Sequence, residues 1–116
     1  MMRWLLLSCV FALMSGCSEP GSRTLGAVIN GTEATVAVAR KANIPASVVL
    51  RGTMIQKCPV AGCWFILHDE TGTIKVDTKN AGFVVVDVSL NTRMVVAGRV
   101  TTNGEERLVD ATGLRY

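Results

Sequence analysis

From Ser47 to Ala111 apolar and polar residues alternate in short runs broken by turn signals, and a period of two dictates half-buried strands rather than helices. In Ser47–Lys57 (SVVLRGTMIQK), Val48, Leu50 and Met54 share one side while Arg51, Thr53 and Lys57 share the other, and Gly52 marks a bend or bulge. Cys63–His68 (CWFILH) is an apolar run of strand length, followed by Asp69-Glu70-Thr71-Gly72, a turn with glycine where positive φ is wanted. Thr73–Asp77 (TIKVD) places Ile74 and Val76 inward and Thr73, Lys75 and Asp77 outward. Arg93–Thr102 is a long strand with Gly98 inside it. Asn103-Gly104 predicts a type I′ hairpin leading into a last strand, Glu105–Ala111.

Five strands in meander order, with glycines in the first and fourth where a small barrel must coil, predict an all-β fold: a five-stranded OB-fold-like barrel. An SH3-like barrel and an open sandwich are the competing layouts. OB-folds often carry a helix between strands three and four, but 78–92 (TKNAGFVVVDVSLNT) is too β-branched for a good one. Glu33–Ala42 (EATVAVARKA) is read as a short helix capped by Thr32, although Val36 and Val38 would also suit a strand.

The N-terminus has a different character. Arg3 precedes Trp4–Met14, an uncharged run too short to span a bilayer, and the polar stretch Ser15–Arg23 follows, so residues 1–16 read as an export signal. Leu13-Met14-Ser15-Gly16-Cys17 resembles the lipobox of bacterial lipoproteins, with Met14 in place of the usual Leu, Val or Ile. That resemblance implies lipidation of the Cys17 sulfur, anchorage in the membrane through the lipid and, with Ser18 next, an outer-membrane address facing the periplasm. Residues 17–32, rich in Gly and small polar residues, predict a flexible tether, and 33–116 the folded domain.

Cys9 leaves with the signal and Cys17 takes the lipid, so the domain holds only Cys58 and Cys63. These two flank a four-residue loop between the first two strands, and outside the cytoplasm the expectation is a disulfide. Two other readings stay open: a soft-metal site for Cu(I) or Zn(II) completed by His68 or Met54, and thiol–disulfide exchange, for which the pair lacks Cys-x-x-Cys spacing and a helix N-terminus. No cofactor motif is present.

If Phe65 and Leu67 face inward, then Trp64, Ile66 and His68 face out beside Thr73, Lys75 and Asp77, on the side where OB-folds take ligands. Arg51, Trp64, His68 and Lys75 form the candidate ligand face, with Trp64 available for stacking and Lys75 or Arg51 for an anion. The plainer alternative packs Trp64 against the short N-terminal element and leaves His68 as a surface residue. Oligonucleotide binding is a further alternative, but without Arg3 the chain carries 11 Lys or Arg against 9 Asp or Glu, interspersed, which makes no basic groove. A single histidine and no paired carboxylates argue against an enzyme.

The motif order Val48-Val49-Leu50-Arg51-Gly52, Asp69 with Thr71–Asp77, and Val95-Val96-Ala97-Gly98-Arg99-Val100 resembles the bacterial OB-fold (BOF) family of exported envelope proteins. That resemblance implies a non-enzymatic protein associated with envelope stress tolerance. BOF proteins lack the cysteine loop. Cys58-Pro59-Val60-Ala61-Gly62-Cys63-Trp64 is instead similar to the Cys-x4-Cys-Trp signature of uncharacterised OB-like bacterial lipoproteins. The implied role is an envelope lipoprotein whose barrel binds a protein or small ligand.

Cys17→Ser is expected to abolish diacylglyceryl labelling and release the chain from the membrane fraction. Cell fractionation with labelled lipid precursor checks this, and membrane association unchanged by the substitution would refute lipid anchorage.

Overall fold

The computed structural model describes residues 20–116; the expected export signal and Cys17 lie outside the described residues. Seven strands are present: β1 (Thr24–Gly26), β2 (Glu33–Ala34), β3 (Ala46–Lys57), β4 (Trp64–Asp69), β5 (Gly72–Asp77), β6 (Arg93–Asn103) and β7 (Glu106–Arg115). One α-helix, α1 (Val36–Lys41), precedes β3, and one 3-10 turn, Lys79–Ala81, follows β5. No helix among the described residues is long and apolar enough to cross a membrane.

The barrel is closed. β3, β4 and β5 form an antiparallel meander, and the β6–β7 hairpin completes the circle by pairing β6 antiparallel with β3 and β7 parallel with β5. The parallel β5–β7 contact departs from a simple meander and makes the layout that of an OB-fold rather than an open sandwich.

Two register shifts give the curvature that closure demands. In β3 the register shifts around Ile55, so the alternation that buries Leu50 and Met54 inverts and Lys57, expected outward, turns toward the barrel end. On the β6–β7 ladder Gly98 faces Ala111 and Ala97 faces Gly113, leaving Thr112 as the extra residue. Gly52 is not itself a bulge: a Cβ there would sit 2.6 Å from the His68 carbonyl oxygen, so glycine permits close approach of β4. The last hairpin also differs from expectation. Asn103 pairs with Glu106, Gly104 alone has positive φ (67°), and the turn therefore starts one residue later with the φ signs of type II′.

Leu50, Met54, Phe65, Leu67, Ile74, Val76, Met94, Val96, Val100, Val109 and Leu114 fill the interior. Each open end is stoppered by a different element. At one end α1 buries Val36 and Ala39, and Arg107 Nη1 donates to the Ala39 and Ala42 carbonyls at 3.2 and 2.5 Å. At the other end Val85 and Val88 enter the core from the strandless segment after β5. Lys57 Nζ binds the carbonyls of Val85 (3.4 Å), Val86 (2.9 Å) and Val88 (2.5 Å) there. As the β-branched composition predicts, 78–92 contains only the 3-10 turn.

Within 17–32, expected to be a flexible tether, Thr24–Gly26 is a strand. β7 continues past its partnership with β5, and Thr24–Gly26 pairs with the exposed edge at Gly113–Arg115, because an unpaired edge leaves backbone groups unsatisfied. Residues 27–32 then cross the outside of β6 to reach β2, which pairs in parallel with β3. Helix α1 is shorter than the expected Glu33–Ala42, because Glu33 and Ala34 pair with β3, and its cap is Thr35, not Thr32: Thr35 Oγ1 accepts from Val38 N at 3.3 Å.

Replacing Lys57 by Met strands three carbonyls at the barrel end, so the substitution is expected to cost roughly 1–3 kcal/mol in urea unfolding. Amide exchange around Val85–Val88 should accelerate selectively; unchanged exchange there would refute the stoppering role.

Candidate functional site

The β4–β5 hairpin and α1 are joined through one carboxylate. Asp69 Oδ1 accepts from Thr71 N (2.7 Å), Thr71 Oγ1 (2.6 Å) and Gly72 N (3.2 Å), while Oδ2 accepts from Val36 N at 2.8 Å. Thr71 Oγ1 in turn accepts from Ala37 N at 2.9 Å. With Thr35 on Val38 N, the first three N–H groups of α1 all have side-chain partners, which is how a six-residue helix holds at the barrel mouth. Burial raises the Asp69 carboxyl, but the Thr71, Val36 and Gly72 donors outweigh it and hold the group below the usual carboxylate range.

Beside this junction lies a cleft of about 360 Å³, lined by Thr35, Arg51, Thr53, His68, Thr71 and Arg93 among others. Strand register builds it: Thr53 stands opposite His68 across β3–β4 and opposite Arg93 across β3–β6, so one threonine is flanked by two nitrogen-bearing side chains. Arg51 is engaged by Glu33, with Nε to Oε1 at 2.8 Å and Nη2 to Oε2 at 2.9 Å, and that bidentate hydrogen bond holds the Glu33 carboxyl below its ordinary value. His68 and Arg93 are exposed to solvent at the cleft.

The candidate ligand face therefore divides. Arg51 and His68 share the cleft, whereas Trp64 and Lys75 form a second cluster along β4 and β5, four residues from His68 and so about 13 Å away at strand rise. Lys75 Nζ lies 5.1 Å from the Trp64 ring centroid and pairs with Glu106 at 3.5 Å. Trp64 stands opposite Asp77, and Asp77 opposite Asp110, so the aromatic has carboxylates along its row. The alternation of β4 is as expected, Phe65 and Leu67 buried and His68 exposed. Sequence reasoning missed Arg93, because its place beside Thr53 depends on β3–β6 register.

The cysteine loop sits at the opposite end of the barrel from α1. Cys58 N donates to the Trp64 carbonyl at 3.0 Å, Thr78 N and Oγ1 donate to the Cys63 carbonyl at 2.9 and 3.0 Å, and Val85 N donates to the Gly62 carbonyl at 2.8 Å. Gly62 has φ of 62°, and a Cβ there would sit 2.5 Å from Val86 N, so glycine is required. Cys58 and Cys63 are adjacent, half-buried free thiols. The backbone N–H groups of Ala61 and Val60, with smaller help from the Cys63 thiol and Gly62, bring Cys58 down to about 7 against the opposing effect of desolvation. A metal shared with His68 or Met54 is excluded by placement. His68 lies five residues along β4 from Cys63, about 16 Å, and Met54 is fully buried in the core. No group of three or more His, Cys, Asp or Glu side chains among the described residues is arranged to hold a metal ion.

A closed five-stranded barrel of this strand order, with a polar cleft at its end, defines an OB-fold. The family description "Bacterial OB fold (BOF) protein" matches residues 15–116, and the chain belongs to that family. Among solved structures, that of the hypothetical protein ygiW from E. coli is similar, with a TM-score of 0.58 and 21% identity, covering 74% of this chain and 91% of that one. No curated protein sequence matches.

Because the Asp69 carboxyl sits lower in the folded chain than in the unfolded one, its stabilisation is fully present above about pH 4 and is lost as pH falls through the folded value. Asp69→Ala is expected to cost about 1–2 kcal/mol at pH 7, with a smaller deficit in acid. Urea unfolding at both pH values checks the sign.

Proposed function

We propose that this chain is a non-enzymatic envelope lipoprotein whose OB barrel binds a ligand carrying an anionic group, carboxylate or phosphate, at the cleft between β3, β4 and β6. The observation that carries the reading is the flanking of Thr53 by His68 and Arg93, within a cleft whose wall also offers the hydroxyl of Thr35. A guanidinium supplies a planar fork for carboxylate or phosphate, and the hydroxyl protons of Thr35 and Thr53 supply further donors, that of Thr71 being given to Asp69. Two carboxylates also line the cleft: Asp69, both of whose oxygens are engaged by backbone and hydroxyl donors, and Glu70, which is exposed to solvent.

Arg51, neutralised by Glu33, positions the wall of the cleft rather than supplying net charge. Trp64 and Lys75 extend the face along β4, so a ligand longer than about 13 Å reaches from the cleft to the indole. Asp77 and Asp110 along the Trp64 row favour a protein or small molecule over a nucleic-acid backbone, whose phosphates they would repel.

Titration with inorganic phosphate and with citrate, followed by amide NMR, is expected to shift the signals of Thr53, His68, Thr71 and Arg93 together. Arg93→Ala should weaken binding roughly tenfold, in line with loss of a charge-assisted hydrogen bond worth about 1.5 kcal/mol. Shifts confined to other residues, or unaltered affinity in that variant, would refute the cleft as the binding site.

A further inference from the structure

The two thiols at the far end of the barrel point to a second activity, independent of the cleft. We propose that Cys58 and Cys63 form a dithiol–disulfide exchange site in which Cys58 attacks a disulfide of another molecule and Cys63 resolves the resulting mixed disulfide.

Several observations converge on this division of labour. Both thiols are unbonded, and the Cys58 N to Trp64 carbonyl bond brings the two ends of the four-residue loop together. Pro59, Val60 and Ala61, the apex of the loop, are exposed, so an incoming disulfide has access. The frame around the sulfurs is fixed at four places: Cys58 N on Trp64, Thr78 on the Cys63 carbonyl, Gly62 N on the Cys58 carbonyl, and Val85 N on the Gly62 carbonyl. Thus the cysteines are held beside each other by backbone that need not rearrange when they join. The loop backbone at Ala61 and Val60 favours the Cys58 thiolate, as a helix N-terminus does elsewhere. The absence of such a helix next to the pair is thereby made good by the loop. Near neutral pH a thiol held at about 7 gains more in thiolate fraction than it loses in nucleophilicity.

The chemistry balances with a disulfide as the only co-reactant. The Cys58 thiolate forms a bond to one sulfur of that disulfide, whose other sulfur leaves as a thiolate. Cys63, after losing its proton to solvent, attacks the Cys58 sulfur and expels the second thiolate. The protein dithiol is oxidised by two electrons, the co-reactant is reduced by two, and the protons shed by the protein thiols are taken up by the leaving thiolates. The reverse reaction opens the Cys58–Cys63 bond. Val60, 87% exposed in the loop, and Val86, half-exposed with its backbone against Gly62, offer apolar surface at this end of the barrel, which suits a disulfide presented by a polypeptide.

The test uses the reduced chain with glutathione disulfide and, in parallel, with an apolar peptide disulfide, read by intact mass. The wild-type chain should end as an internal disulfide with both halves of the probe released, faster with the peptide. Cys63→Ser should stop at a mixed disulfide on Cys58, forming roughly three- to fivefold faster than on an ordinary surface thiol at pH 7. Cys58→Ser should react more slowly than Cys63→Ser. Amide spectra of both variants confirm the barrel. Equal rates in the two single variants overturn the assignment. So does a wild-type disulfide that excess reduced glutathione cannot reopen, because the pair would then be a static staple.

Discussion

A five-stranded barrel has two open mouths, and this structure depends on closing both with segments that lack strands of their own. The device is the same at each end. A long cation rooted on a barrel strand reaches over the mouth and donates to backbone carbonyls of the stopper: Arg107 to the end of α1, Lys57 to Val85, Val86 and Val88. Carbonyls at a helix end or in an irregular segment have no ladder to join, and leaving them unpaired against an apolar interior is costly. The cations satisfy them while the valines and Ala39 beneath complete the core.

Those stoppers place the chemistry. Because the N–H groups at the start of α1 need acceptors, the β4–β5 turn is drawn to it through Asp69 and Thr71, and the cleft with His68 and Arg93 opens beside that joint. Because Lys57 fixes the 85–88 segment, Val85 can bond Gly62, which frames the cysteine loop. The polar cleft and the thiol pair thus occupy opposite ends of one barrel, each resting on a different stopper.

Much of this was legible in residue order. The alternation in β3, β4 and β5, the short helix before them and the absence of a helix after β5 all appear as read, because each rests on local periodicity or propensity. The departures share a cause. Lys57 faces the barrel end instead of solvent because the register shifts around Ile55, and nothing in Thr-Met-Ile-Gln announces a bulge. The last turn moved by one residue because the β6–β7 register, set by core packing of Val100 and Val109, outweighs the preference of Asn-Gly for a type I′ turn. Thr24–Gly26 looked like linker because its reason for pairing is the overhanging edge of β7.

The sequence by itself determined the class of fold, the strand faces and the proximity of Cys58 to Cys63, since all three follow from chain-local constraints: period-two burial, turn chemistry and a four-residue loop. Tertiary structure alone decided which outward residues meet. Arg51, Trp64, His68 and Lys75 form one row of candidates in sequence. Yet strand register sends the first and third to a cleft with Arg93 and the other two to a separate cluster. It likewise removed His68 and Met54 from reach of the thiols. Register depends on closing the barrel, and closure is a property of all five strands at once.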